Sequence, residues 1–224
     1  MEFKCTQCAG CCTNFASSKD GGVSMFEWEK NVVEQRAKQR NLSLIIEPFA
    51  IYPVPDGYVA YEYMIKNPSC PFLKDKQCTI YHDRPLTCRL FPLRFLRYVP
   101  NEDKFVFEVG KSNGHDQTVL DQLTTQTKKL KILQDYFGTD VLVSGLQSQF
   151  SASRLIHLLK RLGAGESVTY DKLTDEQKAT ISIEPLFTHC KKKNIISREW
   201  VKEFIHRHEN KGDAHHFLQN KNIL

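Results

Sequence analysis

The sequence lacks any hydrophobic run long enough to cross a membrane. No apolar stretch approaches the roughly 18 residues that a transmembrane helix needs, and no charged segment followed by an apolar one marks a secretory signal after Met1. The apolar content of 41% and the charged content of 25% are ordinary for a globular protein. We therefore expect a soluble, cytoplasmic protein without a membrane partner, whose thiols stay reduced.

Phosphate-binding motifs and a concentrated basic face are also missing. There is neither a GxGxxG pattern nor a P-loop, and the nearest glycine cluster, "RLGAGES" at 161–167, reads as a helix end followed by a turn. The net charge of +5 is spread over both halves of the chain, and its densest patch is the short "CKKKN" at 190–194. These absences argue against nucleic-acid binding and leave a methyl-donor site without local sequence support.

After residue 88 the only cysteine is Cys190, whereas the sequence up to that point is rich in cysteine. The other seven cysteines are Cys5, Cys8, Cys11 and Cys12 in a first block and Cys70, Cys78 and Cys88 in a second. Disulfides fit poorly in a chain without a secretory signal, and unrelated core thiols would be more scattered. The pattern favours zinc or iron–sulfur ligation.

The first block, "CTQCAGCC", has the C-x2-C spacing that turns two thiolates toward one centre. Gly10 offers a position that tolerates a positive φ just before the last pair. The neighbouring Cys11 and Cys12 cannot easily direct both sulfurs at one ion, so one could face a second centre or pack inward. The triplet C-x2-C-x2-C also matches part of a bacterial ferredoxin run.

The second block, "CPFLKDKQCTIYHDRPLTCRLFP", predicts a hairpin followed by a short helix. The polar turn "KDKQ" would bring Cys70 and Cys78 together. Asp83 is a good helix cap, and Pro85 suits the first turn of a helix that carries Cys88 and ends before Pro92. These elements would fold back on the N-terminal block and complete a composite centre.

Together the two blocks resemble the CxxCxxCC cysteine-cluster family, which is described as chelating zinc or iron and whose wider group includes flagellin lysine N-methylase. The resemblance covers roughly residues 3–115. It implies that all seven cysteines of the two blocks match family cysteines, and that Arg84, Pro85, Arg89 and Pro92 match an "RP..CR.FP" signature. Family members often carry a further cysteine where this chain has "VGKSNGHDQ". His115 or Asp116 could take its place, or the site could stay open.

Thiolate ligands do not choose between the metals, because they suit both zinc and iron–sulfur clusters. The ferredoxin-like triplet and the Cys70-Pro71 pair favour an iron–sulfur centre, such as 4Fe-4S, over zinc. Several thiolates around one centre leave negative charge, which Arg84 and Arg89 could offset as cofactor-binding residues. A surface salt bridge is the alternative role for these arginines.

The predicted fold class is α+β. A loop-rich, metal-centred half with small antiparallel hairpins, residues 1–115, precedes a mostly α-helical half, residues 116–224, with "VGKSNGHD" as the boundary. In the first half, Ser24 and Glu27 suggest a capping box before a helix that reaches about Arg40. Two hairpins are expected around "PDG" and "PNED".

In the second half, apolar residues at helical spacing predict helices that end at Gly138 and Gly163, and another amphipathic helix is predicted to start at Ser197. The histidines of this half, His189, His206, His208, His215 and His216, suit ordinary surface or core roles better than joint ligation, and Cys190 is expected to be a buried thiol.

Two functions of different class remain. One is a redox or methylase-related enzyme whose N-terminal half holds the metal and whose helical half docks an unidentified protein partner or protein substrate. The other is a structural zinc module in an interaction protein without catalysis.

Overall fold

The structure is a computed structural model. It describes residues 9–13, 22–91, 93–99, 104–109 and 130–220. At Cys11 and at the described positions between 93 and 132, it describes the backbone alone. Small sheets occupy the N-terminal half and helices the C-terminal half, which confirms the predicted α+β class. No helix among these residues is long and apolar enough to cross a membrane.

Ten short strands form two sheets and two hairpins in the described part of the chain. The strands are β1 (Val23–Phe26), β2 (Ile46–Pro48), β3 (Tyr52–Val54), β4 (Gly57–Val59), β5 (Glu62–Ile65), β6 (Leu73–Lys74), β7 (Gln77–Cys78), β8 (Leu93–Val99), β9 (Lys104–Val109) and β10 (Ile181–Ser182). One sheet has the order β1-β5-β2 and is antiparallel, and the other has the order β10-β4-β3. In the second sheet β10 runs parallel to β4 and ties the C-terminal half to the N-terminal one.

Among the described residues, three helices lie in the first half and six in the second. They are α1 (Gly10–Thr13), α2 (Glu27–Gln39), α3 (Leu86–Leu90), α4 (Leu130–Phe137), α5 (Thr139–Leu162), α6 (Asp175–Ala179), α7 (Glu184–Lys192), α8 (Arg198–Glu209) and α9 (Gly212–Asn220). Two predicted helix boundaries are confirmed. Gly163 follows the last residue of α5 and has a left-handed backbone conformation, and the Ser197 hydroxyl accepts the Trp200 N–H at the start of α8.

The predicted helix after Ser24 is confirmed, but its predicted capping box is wrong. Ser24 lies in β1 and α2 begins at Glu27, so that Phe26 takes the N-cap position and Glu29 the third helical position. The Glu29 carboxylate accepts the Phe26 N–H at 3.0 Å. A capping box is recognised in a sequence by a Ser or Thr at the N-cap. Phe26 is neither, so the sequence pattern does not indicate the true start of the helix.

The "PDG" hairpin is confirmed only at its tip. Strands β3 and β4 pair around Pro55 and Asp56, whereas β2 and β5, which precede and follow them, pair in the other sheet. The "PNED" hairpin is confirmed as the antiparallel pair β8–β9.

In the part of the chain that the structure describes, three hydrophobic cores stabilise the fold. The first joins Leu86 and Leu90 of α3 to α4, α5 and α9. The second joins β4 to α5, α7 and α8, and the third packs β1, α2 and β5 against the cysteine hairpin. The first two cores therefore contain side chains from both halves. The predicted boundary segment, "VGKSNGHD", lies outside the described residues apart from its first valine.

Candidate metal centre

The hairpin predicted for the second cysteine block is confirmed. Strands β6 and β7 pair with Leu73 opposite Cys78, and the two-residue turn between them is formed by Asp75 and Lys76 at φ values of 50° and 64°. Two consecutive left-handed residues match the twist of a tight hairpin. Cys70 and Cys78 are half-buried and pack at the edge of the third core, where Phe72 and Ile80 are buried.

The N-terminal block contacts this hairpin directly. The Cys70 N–H donates to the Cys12 carbonyl at 2.8 Å, which joins the two cysteine blocks through the backbone. Cys12 lies in a tight turn in which the Cys12 and Thr13 N–H groups donate to the Ala9 carbonyl. The positive φ of this turn, 60°, belongs to Ala9 and not to Gly10, which lies in α1, so the predicted role of Gly10 is wrong.

Helix α3 carries Cys88 and ends at Leu90, as predicted, but Asp83 does not cap it. Residues Tyr81–Asp83 form a separate 3-10 turn, and Pro85 takes the N-cap position of α3. The Asp83 carboxylate instead accepts from Arg36 Nε of α2 at 2.9 Å. Pro85 disfavours a helical conformation of the residue before it, and Arg84 is extended with a ψ of 143°. This separates the two helical turns and leaves Asp83 available for α2.

Glu29 holds the start of α3 against α2. One carboxylate oxygen accepts the Leu86 N–H at 2.6 Å, and the other accepts the Phe26 N–H. Burial raises the pKa of Glu29, although both backbone donors and the charge of Arg89 act in the opposite direction. Ser24 and Thr87, whose hydroxyl oxygens lie 3.2 Å apart, add a second link between β1 and α3.

Among the described residues, no group of three or more Cys, His, Asp or Glu side chains lies close enough to hold a metal. The structure joins Cys12 to Cys70 through the backbone and places Cys78 on β7 and Cys88 on α3. The other predicted ligands, Cys5, Cys8, the Cys11 side chain, His115 and Asp116, lie outside the described residues. Thiolates suit zinc and iron alike. The joined blocks therefore fit one side of such a site.

A family model described as "Putative zinc- or iron-chelating domain" matches residues 4–115, which include all seven cysteines of the two blocks. The chain belongs to the CxxCxxCC family. Comparisons with curated proteins and with solved structures found no match. Cys190 and the C-terminal histidines lie beyond the part of the chain that the CxxCxxCC model matches.

The two arginines of the CxxCxxCC signature contact groups other than thiols in the described part of the structure. The Arg84 guanidinium lies 3.8 Å from the centre of the Tyr81 ring, and its Nε donates to the Tyr81 carbonyl. Arg89 Nη1 lies 3.6 Å from an Asp140 carboxylate oxygen at the start of α5. Their role toward a metal centre stays a prediction, because most of the first cysteine block lies outside the described residues.

The C-terminal residues that could have suggested a second metal site have structural contacts. Cys190 is fully buried in the second core, as predicted. His189 is also buried, and its Nδ1 lies 3.0 Å from an Asp56 carboxylate oxygen, a contact that no local sequence pattern predicts. Lys192 binds the same carboxylate, and these contacts lower the pKa of Asp56. They fasten the β3–β4 turn to α7.

His208 provides a test of this structural interpretation. Its Nδ1 lies 2.9 Å from Ser151 Oγ, its ring lies against Trp28, and burial lowers its pKa to about 4. A histidine with a lowered folded-state pKa contributes stability that is present above its unfolded pKa and is lost as the pH falls toward the folded value. We expect a fall from pH 7 to pH 5 to cost about 1–2 kcal/mol through this group after solvent screening.

Urea unfolding of His208→Gln at both pH values should show a smaller loss on acidification than the unchanged protein does. The matched control is His206→Gln on the same helix, because His206 is exposed and contacts Asn210. An equal acid sensitivity in the two variants would contradict the assignment to His208.

Proposed function

We propose that the two cysteine blocks of this CxxCxxCC protein hold one composite iron–sulfur centre, with cysteines left over for an open position or a second centre. The observation that carries the proposal is the 2.8 Å hydrogen bond from the Cys70 N–H to the Cys12 carbonyl. It fixes the end of the first block against the start of the second. Segments 58 positions apart would then supply thiolates to the same region.

Two features support iron–sulfur over zinc in this proposal. The C-x2-C-x2-C triplet and a cysteine followed by proline are both found in ferredoxin-type ligand sets. A bound cluster would supply electron transfer or a Lewis-acidic iron, and the chain's residues would position it.

The elements around the second block would hold the ligands of such a centre in fixed positions. Phe72 and Ile80 anchor the hairpin in the third core, and Glu29 and Asp83 tie α3 and the turn before it to α2. Cys70, Cys78 and Cys88 would therefore present their sulfurs from elements that have little freedom to move. We propose a redox or methylase-related reaction at this centre, with a protein partner or protein substrate docked on the helical half.

The structural zinc module is the second candidate, and one observation favours it. Cys70 and Cys78 pack at the edge of the third core, so a zinc ion held there would fasten the hairpin to the sheet without any reaction. In a protein of this kind, the binding free energy of the metal adds directly to folding stability.

Anaerobic purification followed by elemental analysis distinguishes the two candidates. An iron–sulfur protein should be brown, absorb at about 400 nm and contain about four irons per chain. Its colour should bleach in air. A colourless, air-stable protein with one or two zinc ions per chain would support the structural module and overturn the cluster. A folded protein free of both metals would contradict both candidates.

A further inference from the structure

A cleft between α5 and α8 is lined by residues that belong to neither cysteine block. Its volume is about 490 Å³, which is within the range of small-ligand sites. Its apolar floor includes Leu158, Ile196, Trp200 and Phe204, of which all but Trp200 are buried. The rings of Trp200 and Phe204 are stacked with centroids 5.4 Å apart, which gives the cleft a flat aromatic wall.

The rim of the cleft carries three arginines and one histidine against a single carboxylate, that of Glu203. Arg154, His157 and Arg161 follow one another at helical spacing along α5, and Arg207 faces them from α8. Two of the three arginines are already neutralised, since Arg154 and Arg207 both bind the Asp213 carboxylate and Arg207 also binds Glu203. These contacts fix both guanidinium groups in place.

Arg161 differs from the other two arginines. Within the described part of the chain it makes no salt bridge, and it lies exposed at the last turn of α5 beside the apolar floor. An arginine without a counter-ion next to a desolvated aromatic surface is well suited to bind an anion, because a guanidinium pairs with a carboxylate, sulfonate or phosphate through two parallel hydrogen bonds.

We propose that this cleft is a binding site for a small organic anion with a flat apolar body. The body lies on the Trp200–Phe204 wall, and the anionic group binds Arg161. Charge complementarity selects this occupant over a neutral apolar ligand, since the cleft has an uncompensated cation at one end of an aromatic floor. All of the lining residues follow residue 150, outside the matched family region, so this proposal does not rest on the cysteine centre.

The test compares two probes of the same shape on the full-length, metal-loaded protein by isothermal titration calorimetry. Naphthalene-2-sulfonate carries the anion, and naphthalene-2-sulfonamide is its neutral counterpart. We expect the sulfonate to bind at least about fivefold more tightly, in line with one partly exposed charged contact. A probe bound in the cleft should quench tryptophan fluorescence, and this quenching should be lost in Trp200→Phe.

The variant Arg161→Gln should remove the preference for the sulfonate without changing the melting temperature. Lys160→Gln is the matched control, because Lys160 lies in the same helical turn and is exposed but does not line the cleft. Equal binding of the two probes, equal losses in the two variants, or no binding up to about 5 mM would each overturn the proposal.

Discussion

Replacement of Cys70 with serine should remove most of the bound metal and lower the unfolding free energy by about 3 kcal/mol or more. Serine is close to cysteine in size and keeps the backbone N–H, so the hydrogen bond to the Cys12 carbonyl can persist. The change therefore removes a sulfur that we propose binds the metal, while leaving the contact between the two blocks in place. For a chain of this length, such a loss corresponds to a fall of about 6–12 °C in melting temperature.

The measurements are metal content per chain and thermal unfolding, made on the same anaerobic preparation. Cys78→Ser should behave in the same way, because Cys78 lies on the opposite strand of the same hairpin. Addition of a chelator to the unchanged protein should lower its melting temperature to nearly that of the variants, since the stability lost is the stability that the metal supplies.

Cys190→Ala is the control that separates metal loss from core damage. Cys190 is fully buried in the second core, and removing its sulfur should cost about 1–2 kcal/mol while the metal content stays unchanged. If Cys70→Ser keeps its metal, Cys70 is not a ligand. If Cys190→Ala loses metal to the same extent, the metal content follows global stability and carries no information on the site.

Elements with a strong local pattern could be predicted from the sequence. The end of α5 at Gly163, the start of α8 at Ser197 and the cysteine hairpin each depend on residues within a few positions of one another. A left-handed glycine, a serine N-cap and a polar two-residue turn act locally, so tertiary contacts do not have to be known.

The division of the "PDG" hairpin between two sheets could not be predicted in this way. Val59, Ala60 and Tyr61 are three successive buried residues, which breaks the alternation of a strand with one buried face. Val59 and Tyr61 belong to the second core and Ala60 to the third, so the chain passes between two cores at this point. The parallel partner of β4, Ile181–Ser182, lies more than 100 positions away in sequence.

The cysteine site shows the same limit. The spacing identified the candidate ligands, and the family match supports metal binding as a general property. The support beneath the site was missed, because Glu29 binds the Leu86 N–H across 57 positions of sequence. A glutamate in the first turn of a helix predicts a favourable helix dipole interaction, but nothing local shows that it also reaches a second helix.

Glu29→Ala should lower the unfolding free energy by about 3–4 kcal/mol, through the loss of two charge-assisted hydrogen bonds to backbone donors. The Phe26 and Leu86 N–H groups would lose their acceptor, and Arg89 would lose a nearby negative charge. Glu29→Gln should cost about half as much, because the amide offers one acceptor oxygen and turns an NH₂ group toward the other donor. Glu34→Ala, an exposed change on the same helix, should stay within about 0.5 kcal/mol of the unchanged protein.

The pH dependence of Glu29→Gln adds a readout that a simple packing loss would not change. Burial raises the folded-state pKa of Glu29 above its ordinary value of 4.5. An acid with a raised pKa binds protons more tightly in the folded state, so its contribution to stability falls as the pH rises from the unfolded to the folded pKa. Urea unfolding just above pH 4.5 should therefore show a flatter pH dependence in Glu29→Gln than in the unchanged protein. An unaltered slope would mean that Glu29 is not desolvated between α2 and α3, and the proposed fastening of the Cys88 helix would then lose its main support.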